Sequence, residues 1–207
     1  MNIILFDYNR EALLPLTYTR PVAELRIGIN TIKEKWEHYF DLISVKTEDY
    51  LSTKFPINLS RENLWINACV LPNQDIMNEI NTLPKGEILI KGDIPIAFTK
   101  EQFDYKDLEK KQLKSDSTIL SNIWDIFNKN GEEIVNDFER ITKGRKSQEL
   151  DKLSIKVGGY PLFIEEGAKV ESAFLNCKKG PIYIGKDTEI MEGSMVRGPF
   201  AMCNDSV

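Results

Sequence analysis

From Leu14 to Gly28 the chain reads Leu-Pro-Leu-Thr-Tyr-Thr-Arg-Pro-Val-Ala-Glu-Leu-Arg-Ile-Gly, which places Thr17, Thr19, Arg20 and Arg26 in one segment ahead of a predicted helix. Hydroxyls and guanidinium forks suit anionic oxygens, phosphate above all, and a helix N-terminus adds outward-pointing N–H groups. A purely structural reading stands beside this one. In it, Arg20 and Arg26 pair with Asp7, Glu11 or Glu24 and only hold a long loop in place. Two further candidates lie downstream: Asn67, and Asp93 within Gly92-Asp93-Ile94-Pro95. No glycine precedes Gly28, so the loop lacks a glycine-rich phosphate cradle. The single histidine, His38, sits beside Glu37 in a helical stretch and reads as a surface residue.

The elements that must carry these residues follow from hydrophobic patterning. Asn2 to Phe6 is an apolar run of strand length ending at Asp7, as in a buried parallel strand. A long loop, Tyr8 to Arg26, leads to a helix predicted from about Gly28 to Tyr39, with Ile29, Ile32 and Trp36 on one face. Leu42 to Val45 is a second strand, followed by a capped turn at Thr47 to Tyr50. Leu64 to Ile66 is a third strand, closed by Asn67, and Pro72 is expected to open a helix carrying Ile76 and Ile80. Glu87 to Ile90 and Ile94 to Phe98 predict a hairpin turning at Lys91-Gly92-Asp93, with Pro95 confining one arm to a sheet edge. Lys100 to Asp116 is charged and uninformative. Asn130 is expected to cap a helix from Gly131 to Ile141. The alternation of strand and helix argues for a three-layer α/β domain with a mainly parallel sheet, residues 1–150, ending in the polar connector of residues 143–152.

Residues 151–207 carry a different period. Ile184, Ile190, Val196 and Met202 recur every six residues, and the fifth place of each unit holds Thr188, Ser194, Phe200 and Ser206. Six fits neither an α-helix nor a lone alternating strand, but it fits a parallel β-helix in which each hexapeptide forms one flat face. Ile164 and Val170 extend the register backwards, with a slip across Cys177 to Pro181. Ordinary antiparallel strands with turns are the alternative. Stacked repeats need neighbours to bury their shaft, and the sequence stops inside the fourth consecutive unit, so further coils are expected beyond it.

Composition narrows the classes. At 207 residues and 42% hydrophobic the chain can bury a proper core. A net charge of -5 argues against nucleic acid as a partner, and no apolar run reaches membrane length. Cys69, Cys177 and Cys203 are odd in number and far apart, which suggests neither a disulfide framework nor a zinc site. A cytoplasmic location is the expectation.

An amino-terminal α/β domain followed by hexapeptide coils resembles the bifunctional enzymes that make UDP-N-acetylglucosamine, which join a uridylyltransferase to a left-handed β-helix acetyltransferase. More closely, the Leu14–Gly28 segment, Trp124-Asp125-Ile126-Phe127, Gly180 to Gly185, Met191-Glu192-Gly193 and Arg197 to Phe200 resemble sugar-nucleotidyltransferase-like proteins of Bacteroidetes-type bacteria. The resemblance implies attack of a sugar-1-phosphate on a nucleoside triphosphate to give a UDP- or dTDP-sugar, UDP-N-acetylglucosamine foremost, with Mg²⁺. It implies Arg20 and Arg26 as catalytic cations, Asp7, Thr17, Thr19 and Asn67 at the substrates, and Asp93 or Asn67 where the family holds its metal. Acetyl-CoA and a homotrimer belong to a full-length form with more coils. Two other classes remain open: a nucleotide-sugar-binding module without turnover, and a structural unit assembled through its β-helix.

Overall fold

A computed structural model describes residues 2–207, which divide into two compact units. The first runs to Arg26 and resumes over Asn30–Ile126; the second comprises Ile27–Ile29 and Phe127–Val207. The connector of residues 143–152 lies inside the second unit.

The first unit is built on a six-stranded sheet. Its strands are β1 (Asn2–Phe6), β2 (Ile43–Lys46), β3 (Asn63–Asn67), β4 (Glu87–Lys91), β5 (Ile94–Lys100) and β6 (Glu109–Gln112), in the order β2-β1-β3-β5-β4-β6. β1 pairs in parallel with β2 and β3, and β4 with β6, while β5 runs antiparallel between β3 and β4. The carboxyl ends of five strands and the β4–β5 turn therefore share one edge of the sheet. Both faces of β1 and β3 are covered, which is why Ile3, Ile4, Leu5, Phe6, Leu64, Trp65 and Ile66 form unbroken apolar runs. On one face Ile4, Phe6, Trp65, Ile88, Ile90 and Phe98 are capped by Phe103, Tyr105 and Leu108. The stretch from Lys100 to Asp116, silent in sequence, thus supplies both an aromatic lid and the edge strand β6.

Several boundaries depart from expectation for local reasons. The first helix, α1, spans only Ile32–Glu37, because Thr31 and Glu34 close a capping box at its start and Gly28 takes a left-handed φ of 78°. The helical turn α2 (Asp49–Ser52) begins two residues later than expected and has no side-chain cap, because the Thr47 hydroxyl donates to Asp7 instead. Helix α3 (Gln74–Asn81) begins after Asn73, whose side chain accepts from the Ile76 N–H, and not at Pro72. Pro95 does not mark an edge: β5 is an interior strand. The proline stands opposite Ile90 beside the shift in the β4–β5 register, and on the other side the β3–β5 register has already ended at Ala97. Helix α4 spans Ile123–Thr142, so Asn130 lies within it and caps nothing. Its start is held by Asp125, which accepts from the N–H groups of Ser121 and Asn122. Asn130 instead accepts from the Gly28 N–H, and Asp137 from the Ile29 N–H. A Cβ on Gly28 would come within 2.5 Å of the Asp137 carboxylate, so only glycine admits this approach.

The second unit stacks eight short strands in three parallel ladders. β7 (Ile155–Val157), β10 (Phe174–Asn176) and β13 (Met195–Arg197) form one; β8 (Leu162–Ile164), β11 (Ile182–Ile184) and β14 (Phe200–Met202) a second; β9 (Lys169–Val170) and β12 (Glu189–Ile190) a third. Successive strands visit the three ladders in turn. Ile164, Val170, Leu175, Ile182, Ile184 and Ile190 point inward and are buried together, with Val196 and Met202 packed against them, so the six-residue period marks the shaft. Small residues fill the corners: Thr188 is buried and its hydroxyl donates to the Gly185 carbonyl at 2.8 Å. On the second ladder the outward residues Phe163, Tyr183 and Ala201 are covered by Ile29, Ile134, Phe138 and Ile141. Arg145 forks onto Glu165, and the Tyr183 hydroxyl donates to the same carboxylate at 2.7 Å.

Truncating Ile184 to alanine leaves a void in the middle of the shaft. The expected loss is about 3 kcal/mol of unfolding free energy, measured by urea denaturation. A loss below about 1 kcal/mol, the level of a surface substitution, would show that the shaft does not hold the coils together.

Candidate functional site

The loop after β1 is organised by one carboxylate. Asp7 accepts from the Val22 N–H at 2.8 Å and from the Thr47 hydroxyl at 2.6 Å, and it lies 3.5 Å from the Arg10 guanidinium. Arg10 passes the constraint on, donating to the Thr17 carbonyl and, at 2.6 Å, to the Tyr50 hydroxyl. The Tyr50 hydroxyl in turn donates to the Tyr18 carbonyl at 2.8 Å, and the Arg10 guanidinium lies over the Tyr50 ring. Burial pushes the Asp7 carboxyl above the ordinary carboxylate range, against the lowering effect of Thr47, Val22 and Arg10. Two short 3₁₀ turns, Arg10–Leu13 and Val22–Glu24, carry the loop between these anchor points.

Held in this way, the loop presents Thr19, Arg20 and Arg26 to solvent around two adjoining clefts. One, of about 390 Å³, is lined by Thr19, Arg20, Glu24, Arg26, Thr31, Lys54 and Phe55. The other, of about 380 Å³, is walled by Pro15, Leu16, Leu25 and Ile126, with Thr19, Arg20 and Arg26 on the shared side. Arg26 is 3.6 Å from Glu34. Arg20 makes no hydrogen bond or ion pair among the described residues, so the pairing that a purely structural role would require of it is not formed.

The remaining sequence candidates are placed elsewhere. Thr17 is fully buried and its hydroxyl donates to the Arg10 carbonyl at 3.0 Å, so it braces the loop from inside. Asn67 is likewise buried; its Oδ1 accepts from the Cys69 N–H at 2.8 Å and its Nδ2 donates to the Pro95 carbonyl at 2.7 Å. Asp93 is exposed in the β4–β5 turn, on the same edge of the sheet, and its charge reaches Tyr8. These positions do not fit a protein-held Mg²⁺. Among the described residues no three acidic, histidine or cysteine side chains converge, and both polar atoms of the Asn67 amide are already engaged. Nor is the start of α1 open to an anion, because the Glu34 carboxylate accepts from the Thr31 N–H at 2.6 Å and occupies it. The Cys69 thiol, buried and near Asp7, is pushed up to about 12 and is no nucleophile at neutral pH.

Sequence reasoning missed Arg10, Tyr50, Lys54 and Phe55. Arg10 carried a faint signal, three residues after Asp7 and so one turn away. Lys54 and Phe55 carried none, since only the tertiary fold brings the end of α2 beside the loop.

The loop's dependence on Asp7 is testable. Asp7→Ala strands the Val22 N–H, the Thr47 hydroxyl and the Arg10 guanidinium, and is expected to cost about 3 kcal/mol. Asp7→Asn keeps an acceptor for Val22 and is expected to cost about 1 kcal/mol. The carboxyl's folded-state pKa is raised, so its contribution to stability is full below the unfolded value of 3.8 and is lost as pH rises through the folded value. Urea titrations from acid to neutral pH should show that decline in the natural chain and a flatter profile in Asp7→Asn.

A family model described as sugar nucleotidyl transferase matches residues 3–146, well over half of the chain. No curated protein matches it.

Proposed function

The chain belongs to the sugar nucleotidyl transferase family, and on that footing we propose that it couples a sugar-1-phosphate to a nucleoside triphosphate, with UDP-N-acetylglucosamine the favoured product. The observation that carries this reading is Arg20: an exposed, unpaired guanidinium in the loop after the first strand of an α/β sheet, where such sheets bind ligands. Arg26, Lys54 and the Thr19 hydroxyl line the same cleft and supply further donors. In the reaction, an oxygen of the sugar-1-phosphate attacks the α-phosphate in line, the bond to the β-phosphate oxygen breaks, and pyrophosphate leaves.

The side chains have distinct tasks. Arg20 and Arg26 receive the charge that builds on the phosphoryl oxygens, and Thr19 orients one of them. Asp7 and Thr17 act from behind as positioning residues, through Arg10 and the loop backbone. Mg²⁺ would arrive as the counterion of the nucleoside triphosphate, as part of that substrate. The three parallel ladders of the second unit support its assignment as a left-handed β-helix.

A second reading is favoured by specific observations. No glycine-rich cradle precedes Arg20, the α1 start is closed by its own Glu34, and no metal donor set forms among the described residues, all of which suit recognition of a nucleotide sugar without turnover. Pyrophosphate release across a panel of triphosphates and sugar-1-phosphates separates the two. Turnover is expected with a uridine or thymidine triphosphate, and Arg20→Ala is expected to lower kcat/KM by at least about tenfold, or 1.4 kcal/mol, with the melting temperature unchanged. Tight binding of UDP-sugars without pyrophosphate release would select the binding module.

A further inference from the structure

The three outward faces of the second unit are not treated alike. On the second ladder, the outward residues Phe163, Tyr183 and Ala201 are in register and covered by the chain's own residues. On the third, the outward pair is Lys169 beside Glu189, charged and exposed. The first ladder is apolar like the second and exposed like the third. Its outward residues Ile155, Phe174 and Met195 are aligned in register across three coils, yet they are 55%, 39% and 87% exposed. Leu153 and Met191 widen the apolar strip at its corner.

The charges along this face have a direction. At the corner leading into β10 and β13 stand Glu171 and Glu192; at the opposite corner stand Lys178, Lys179 and Arg197, all exposed. At the levels of β10 and β13 one edge is acidic and the other basic; at the level of β7 the first edge carries Lys152 beside Asp151.

We propose that this face docks a second copy of the chain, about a two-fold axis parallel to the direction in which the coils stack. That operation leaves each coil at its own level and exchanges left for right. Glu192 of one copy then meets Arg197 of the other, and Glu171 meets Lys178. A two-fold axis across the stack would set acid against acid. The stem of Arg197 would cover Met195 of the other copy, and Phe174 would lie over Asn176. The contact is isologous because a two-fold axis brings the exposed apolar ladders of the two copies face to face, whereas a ring of three about a parallel axis would join only their charged edges and leave the ladders uncovered. The proposal does not depend on the enzymatic reading.

Sedimentation equilibrium of the full chain tests it, with a mass of twice 23.8 kDa expected. Phe174→Glu and Met195→Glu should each yield monomer with an unchanged far-UV circular dichroism spectrum. Glu192→Arg and Arg197→Glu should each weaken association at least about tenfold, and the two together should restore it. A monomeric natural chain, a mass of three chains, dimers that survive both apolar-to-acid changes, or a double charge swap no tighter than either single one would overturn the assignment.

Discussion

The burial of one carboxylate at the end of β1 governs the first unit's chemistry. A loop of nearly twenty residues has no ladder to hold it, and its backbone groups must find partners one by one. Asp7 concentrates that task. It fixes the backbone at Val22 directly, the β2 end through Thr47, and, through Arg10, the backbone at Thr17 and the ring of Tyr50. Burying the carboxylate is costly enough to raise its pKa, and the four groups it organises are the return on that cost. Arg20 stands exposed and makes no ion pair among the described residues, with Glu24 on the wall of the same cleft.

What the sequence made legible tracks how local each signal is. The strand Asn2–Phe6, the β4–β5 hairpin and the six-residue period of Ile184, Ile190, Val196 and Met202 are set by patterning within a few residues, and all three appear in the structure. The placement of Pro95 and Asn130 depended on tertiary neighbours. A proline excludes a ladder bond only where a ladder partner exists, and an asparagine beside glycine caps a helix only where the helix has not already begun. Asp125, five residues earlier, had taken that role.

The candidate site shows the same division. The positions of Thr19, Arg20 and Arg26 around one cleft follow from their crowding in a single loop, which the sequence displays. Whether a given polar residue faces solvent or the interior does not follow from spacing. Thr17 and Thr19 are two residues apart with the same hydroxyl, yet one is buried against the Arg10 carbonyl and the other lines the cleft. Lys54 and Phe55 join them only because Tyr50, on α2, is tied to the loop.

These placements bear on how a phosphate can be held without glycines. A glycine-rich cradle works by letting backbone N–H groups approach the ligand, and a helix N-terminus adds more of them. Here part of the loop's backbone is spent on its own support: the Val22 N–H goes to Asp7, the Leu16 and Tyr18 N–H groups to the Leu13 and Pro15 carbonyls, and the α1 start to Glu34. The side-chain donors that line the cleft are Arg20, Arg26, Lys54 and Thr19. Side-chain donors reach further than backbone ones but are ordered only when the ligand arrives, so binding must supply the entropy of fixing them. Tethering the loop backbone at four points limits that cost to the side chains themselves.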